Sequence, residues 1–425
     1  MHHKQQFCNS LYRTIVRAAT AAFTLAVVLA LTVMLTQAAQ AQTYTLLHTF
    51  TGPEGNQPVT GVTVDATGNL YGTTSGLNGG QGTVFQIKRF HGTWLLNNLF
   101  TFNGNNGLNP YAGVVFGPDG ALYGTTNEGG SANVGVVYSL KPGATACKTA
   151  LCPWTETILY QFTGGSDGAY PGFGNLTFDS VGNLYGTTYE GGAYGQGAVF
   201  KLTPSSGSWT ESVLYSFAGG NNDGAQPWSG VIFDKAGNLY GTTIVGPGSG
   251  CITGQGCGTV YQLTPTDSGW KENILHSFDG DDGVLPYAGL IMDQSGNLFG
   301  AAWLGGVTGS SGTVFELSPV GGSWTFALLY EWPDGNGGPV DNLAMNSAGV
   351  IYGATYADGA YQNGSVFKLA PSGGGWVYTS LYDFTGGSDG AIPISNVSWD
   401  ANGNLYGTTY NGGFQNNGVV WEITP

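Results

Sequence analysis

Seven copies of one tripeptide constrain this chain more than any other feature. Leu-Tyr-Gly, or a close variant, recurs with its glycine at Gly72, Gly124, Gly186, Gly241, Gly300, Gly353 and Gly407, at spacings of 52, 62, 55, 59, 53 and 54 residues. A period of this size is that of a propeller blade. The two longest intervals are the two that carry cysteine pairs, Cys147 with Cys152 and Cys251 with Cys257, so they read as insertions in an otherwise regular array.

Each copy holds four strand-like runs. In the third they are Asn175–Asp179, Leu184–Thr188, Ala198–Thr203 and Trp209–Phe217, here called strands a to d. Between a and b lies a five-residue turn, Asp179-Ser180-Val181-Gly182-Asn183, with glycine where a left-handed residue is wanted. Strand d carries a tryptophan eight residues before an aromatic, as in Trp154/Phe162, Trp209/Phe217 and Trp270/Phe278. That even spacing predicts both rings on one strand face, packed between blades. The 74 glycines and only 9 % charged residues fit many short strands and tight turns.

The ends of the repeat array are offset. Thr43–Phe50 aligns with strand d, and the chain stops at Thr424-Pro425, just after a strand c. Pairing the two would complete a seventh blade and leave no open sheet edge. The expected fold is all-β: a single seven-bladed β-propeller of four-stranded blades over residues 42–425, closed by the N-terminal strand. A linear solenoid would want polar caps instead, and none is visible.

Residues 1–41 differ from the rest. Lys4, Arg13 and Arg17 precede an apolar run from Ala18 to Thr36, followed by Ala39-Gln40-Ala41. This is the layout of a secretory signal; the run is long enough for an uncleaved anchor, but the small residues argue for cleavage after Ala41. Without that segment the chain keeps eight basic and all 26 acidic residues, a formal charge of −18. Such a balance excludes nucleic acid as the expected partner, and with the signal removed no membrane association is expected. The address read from this is secreted, cell-surface or periplasmic, as a monomer. In such a compartment the four cysteines Cys147, Cys152, Cys251 and Cys257 read as two local disulfides rather than a metal site, since the pairs fall in different repeats.

Copies such as Gly182–Thr188 (Gly-Asn-Leu-Tyr-Gly-Thr-Thr), Gly197–Pro204 and Phe162–Ala169 resemble the bacterial choice-of-anchor tandem repeat proteins of the GloVer type. The likeness covers nearly the whole of the chain after residue 41. It implies an exported or surface protein and brings no established reaction with it. The chain departs from the pattern where Ala301-Ala302 replaces the Thr-Thr pair, and where the loop around Asp334-Gly335 is shortened.

With strand a along the channel, the d-to-a and b-to-c loops share one face. Two features recur there. The first is Asp-Gly ahead of a proline, at Asp167, Asp223, Asp282 and Asp389, with Glu54 and Asn106 standing in elsewhere. Acceptance of asparagine favours turn geometry over charge. The densest cluster, Asp279, Asp281 and Asp282, is the candidate for a structural calcium ion, and no other cofactor is expected. The second feature is aromatic: Tyr189, Trp303, Tyr356 and Tyr410 follow the Thr-Thr position, and Tyr111, Trp228 and Tyr287 follow a proline. Rings among glycines and few charges offer a sugar-stacking surface, or else cover the channel mouth.

Catalysis finds less support. His48 and His276 take a strand-d position that elsewhere holds Tyr160 or Tyr215, and His91 sits in a c-to-d turn, so a Ser/His/Asp arrangement lacks a base. The reading is a non-catalytic scaffold binding extracellular polysaccharide or a protein partner. The alternatives are a glycoside hydrolase or lyase at the channel mouth, and a structural matrix or adhesion protein without a pocket.

Overall fold

The structure, a computed structural model, describes residues 42–76, 80–143, 153–247, 250–251, 256–307, 312–333 and 337–424. Residues 1–41, read as a signal segment, and the pair Cys147 and Cys152 lie outside the described residues, as does the Asp334-Gly335 loop. Tyr44–Thr424 forms one compact unit, and the second unit, Met1–Thr43 with Pro425, lies almost wholly outside the described residues. The strands assemble into seven four-stranded antiparallel sheets, each ordered a-b-c-d, and the molecule is a seven-bladed β-propeller.

The repeating tripeptide has a separate physical task for each residue. In blade three, strands a to d run Thr177–Phe178, Leu184–Thr188, Ala198–Ser205 and Ser208–Ser216. Leu184 is fully buried in the seam between blades. The hydroxyl of Tyr185 donates to Asp179 Oδ2 at 3.0 Å, while Asp179 Oδ1 accepts the backbone N–H groups of Val181 and Asn183 at 3.0 and 2.8 Å, so the tyrosine ties strand b to the a-to-b turn. Gly186 lies under the ring of Phe200, where an added Cβ would sit 2.7 Å from Cζ.

The Thr-Thr pair that follows is equally specific. The first hydroxyl reaches the next blade: Thr187 Oγ1 donates to the carbonyl of Ser229 at 2.8 Å, and Thr242 Oγ1 to that of Ala288 at 3.2 Å. The second stays within the sheet, as in the 2.7 Å bond between Thr243 Oγ1 and Thr259 Oγ1. At the fifth copy, Ala301 and Ala302 are fully buried and make neither bond.

Strand a pairs over only two residues in every blade, shorter than the five-residue run expected from sequence. It abuts the channel, where the hydroxyl of Thr177 bonds the Val231 carbonyl of the neighbouring blade. Strand d also departs from expectation. Its pairing with strand c shifts register between Val199 and Phe200, so Leu214 is a bulge residue and the alternation of faces flips there. Trp209 therefore packs back into the seam with blade two, whereas Phe217 packs forward into the seam with blade four. The rings do pack between blades, but in different seams.

Closure follows the offset of the ends. Thr43–Thr49 forms the outer strand of the seventh sheet beside Val419–Thr424. Tyr44 stacks on Tyr382 with ring centroids 4.1 Å apart, its hydroxyl donates to the Asp389 carbonyl, and Phe50 is fully buried against Phe85.

Candidate functional site

The d-to-a and b-to-c loops are laced together on one face. Within a blade they form short antiparallel bridges, such as Ala169 with Glu190 and Ala391 with Asn411. Between blades, the N–H of the residue before each proline donates to a preceding loop: Tyr170 to the Val134 carbonyl, Gln226 to that of Gln196, Ile392 to that of Asn363. These pre-proline residues are left-handed: Gln57, Asn109, Tyr170, Gln226, Leu285 and Ile392 have φ between 49° and 59°. For leucine and β-branched isoleucine that conformation costs about 1–3 kcal/mol each, and the bonds on either side hold it. The turn so made carries the next residues over the channel mouth.

There one side chain from each blade walls a funnel. Tyr111, Phe173, Trp228 and Tyr287 come from blades two to five, and Val340, Ile394 and Val59 from blades six, seven and one. Phe173 stacks on Trp228 at 3.7 Å and on Tyr111 at 5.4 Å, and Trp228 meets Tyr287 edge-on at 4.7 Å. The belt continues through Trp303, 5.6 Å from Tyr287, to Tyr356 at 5.8 Å, and Tyr189 stands against both Phe173 and Trp228 at 5.7 Å. Tyr410 lies within electrostatic reach of Tyr111 and Tyr356. The seven aromatics expected from sequence thus come together, and all are half-buried. Burial pushes the Tyr111 hydroxyl up to about 12, with the Glu128 carboxylate adding to it.

Two residues of the funnel escape the sequence reading. Phe173 is separated from Pro171 by an extra residue, Gly172, so it misses the proline-aromatic pattern, although it keeps its place two residues before Asn175. The second is Asp341. At this position the other copies carry Thr60, Ala112, Gly174, Ser229, Ala288 and Ser395. A carboxylate among small residues breaks the repeat, and that is the signal that could have found it.

Asp341 lies at the base of the funnel, lining a cavity of about 100 Å³, and is the only acidic residue among its described lining. Its Oδ1 accepts the N–H of Asn342 at 2.6 Å and its Oδ2 that of Asn396 at 2.9 Å. The Thr60 hydroxyl is 3.4 Å from Oδ2. Thr60 belongs to blade one and Asp341 to blade six, so this contact passes blade seven and shows how narrow the channel is here. The residue is half-buried against the cavity, and burial raises its carboxyl to about 6 despite those hydrogen bonds.

The Asp-Gly carboxylates are turned outward into their own loops. Asp167 accepts the Thr163 N–H and hydroxyl at 2.8 and 2.6 Å and the hydroxyl of Tyr160 on strand d at 3.1 Å. His276 does for Asp282 what Tyr160 does for Asp167, at 2.6 Å. Burial would raise Asp282, but the His276 and Asp279 bonds outweigh it and hold the carboxyl low. Asp279 caps the N–H of Asp281. Among the described residues no group of three or more His, Cys, Asp or Glu converges, and Asp279, Asp281 and Asp282 do not form such a set. Cys251 and Cys257 are joined in a disulfide with Cα atoms 5.2 Å apart, packed against the blade four to five seam.

Comparison with solved structures finds matches at low identity. The polysaccharide lyase Uly1 superposes with a TM-score of 0.51 at 10 % identity, over 91 % of this chain and 94 % of that one. PorZ, an essential surface component of the type-IX secretion system of Porphyromonas gingivalis, gives 0.49 at 17 % identity over 88 % of this chain. The chain spans about half of PorZ, 47 % of its length. A putative glucose dehydrogenase from Thermus thermophilus gives 0.42 at 17 % identity, over 73 % of this chain and 95 % of that one. At 10 % identity the likeness to Uly1 speaks to fold alone. No curated protein matches the chain in sequence. A family model, however, matches it over residues 32–156, 150–254 and 249–425, and the chain belongs to the Gloeobacter/Verrucomicrobia repeat family.

Proposed function

We propose that this protein is an exported, non-catalytic scaffold that binds extracellular polysaccharide in the funnel at its channel mouth. The observation that carries the reading is the continuous belt of half-buried rings from Tyr111 to Tyr356 around a small central cavity. Ring faces pack against the C–H faces of sugars, while the surrounding backbone amides and hydroxyls can bond sugar hydroxyls. Uly1 acts on polysaccharide with a related fold, but glycoside cleavage by a hydrolase asks for two carboxyl groups. The cavity lining holds one, Asp341. The Cys251–Cys257 disulfide fits an oxidising compartment, in keeping with a signal segment over residues 1–41.

The test is a glycan array followed by titration calorimetry on residues 42–425. Trp303→Ala and Trp228→Ala should each weaken binding at least about fivefold, the value of one lost ring contact, with the fold checked by circular dichroism. Absence of any glycan ligand, or affinities indifferent to both substitutions, would overturn the reading.

A further inference from the structure

The loops of the funnel face carry ionisable side chains of one sign only. No lysine, arginine or histidine occurs in any d-to-a or b-to-c loop of the sequence. The described basic residues lie on strands c and d or in the turns of the opposite face, as with Lys88, Arg89, Lys141, Lys235 and Lys368. Asp341 is half-buried beneath this face, and no cationic side chain occurs among the described residues that line the cavity with it. A carboxylate in such a place is costly unless a positive charge meets it, and the described residues around it supply none. Its three neighbours donate neutral hydrogen bonds: two backbone N–H groups and the Thr60 hydroxyl.

Tyr111, Phe173, Trp228 and Tyr287 line the same cavity as the carboxylate. Aromatic faces attract a cation through the negative potential over the ring, most strongly when it is desolvated. Rings around an opening with one carboxylate at its base are the chemistry of an ammonium site. A cavity of about 100 Å³ accepts a substituent rather than a sugar ring, which leaves the wider aromatic belt to take the remainder of the ligand.

We infer that the funnel selects glycans bearing a free amino group, the ammonium seated in the central cavity over Asp341 and the sugar rings lying on the belt. The inference rests on the polysaccharide-binding reading and adds to it the class of sugar. It also gives Asp341 a task that the small residues of the other copies cannot perform.

The experiment uses residues 42–425 and compares oligomers of glucosamine with the same oligomers N-acetylated, by calorimetry at low salt. The expected result is at least about tenfold tighter binding of the amine form, competed by tetramethylammonium chloride and eroded by raising the salt. Asp341→Asn should abolish the preference, bringing the affinity for the amine oligomer down to that for the acetylated one measured on the same variant. Equal affinity of wild type for both oligomers would overturn the inference and leave the polysaccharide reading standing. Failure of every oligomer and polysaccharide to bind would overturn both. If Asp341→Asn does not fold, tetramethylammonium competition and salt dependence on the wild type decide: an amine preference indifferent to both would overturn the inference. Capture of peptide amines in place of amino sugars would also overturn it, in favour of a protein partner.

Discussion

Replacing Gly186 by alanine tests whether the tripeptide repeat is set by packing rather than by backbone conformation. The position lies inside strand b of blade three, outside the left-handed region, so alanine meets no torsional penalty. Its Cβ would sit 2.7 Å from Phe200 Cζ and 2.9 Å from Leu176 Cδ2. Phe200 cannot retreat, because it is fully buried and held edge-to-face by Phe162 at 5.2 Å. Overpacking of this kind costs about 1–3 kcal/mol, and for a ring with no room to retreat about 2–3 kcal/mol, offset by about 0.5–1 kcal/mol from alanine's smaller loss of chain entropy, for a net loss of about 1–2.5 kcal/mol. Urea unfolding of Gly186→Ala, Phe200→Leu and the double variant closes a cycle. Shortening the ring removes Cζ, so the coupling energy should exceed about 1 kcal/mol in the direction of rescue. Gly182→Ala is the control: there φ is 92° and nothing lies within 4 Å, so its penalty is conformational and Phe200→Leu should not relieve it. A Gly186→Ala protein as stable as wild type, or a coupling near zero, would refute the packing argument.

Two further outcomes concern the seams. Phe50→Ala empties a fully buried site where the N-terminal strand closes the ring, and should cost about 3–5 kcal/mol and open the seventh blade to limited proteolysis first; cleavage spread evenly over the blades would show that closure is not the weak point. The carboxyl of Glu211 is raised from 4.5 to about 7 by burial and then by the Asp167 charge, and its Oε1 is buried without a hydrogen-bond partner among the described residues. Because the folded value lies above the unfolded one, the group costs nothing below about pH 4.5, and the protein loses stability as pH rises from there to about 7. Glu211→Gln should therefore raise the melting temperature at pH 8, by the equivalent of about 1 kcal/mol after allowance for solvent screening, and leave it unchanged at pH 4; a gain of equal size at both would remove ionisation as its cause.

The chain's periodicity determined the propeller. Repeats of one blade cannot bury their own faces, and Leu-Tyr-Gly-Thr-Thr encodes seam, turn, ring contact and inter-blade bond in consecutive residues, so blade number, strand b and even the closing strand were legible from spacing. The loop aromatics were legible too, because they recur. Departures from periodicity were harder to read. The bulge at Leu214 leaves no mark in composition, yet it sends Trp209 and Phe217 into different seams. Phe173 was displaced by one inserted glycine. Asp341 went unremarked in the sequence, and its place became plain only when seven blades converged on one axis and put it across from Thr60, 281 residues away. A repeat writes its packing into every copy, whereas the axis is made of one residue from each copy. Only closing the ring brings those residues together.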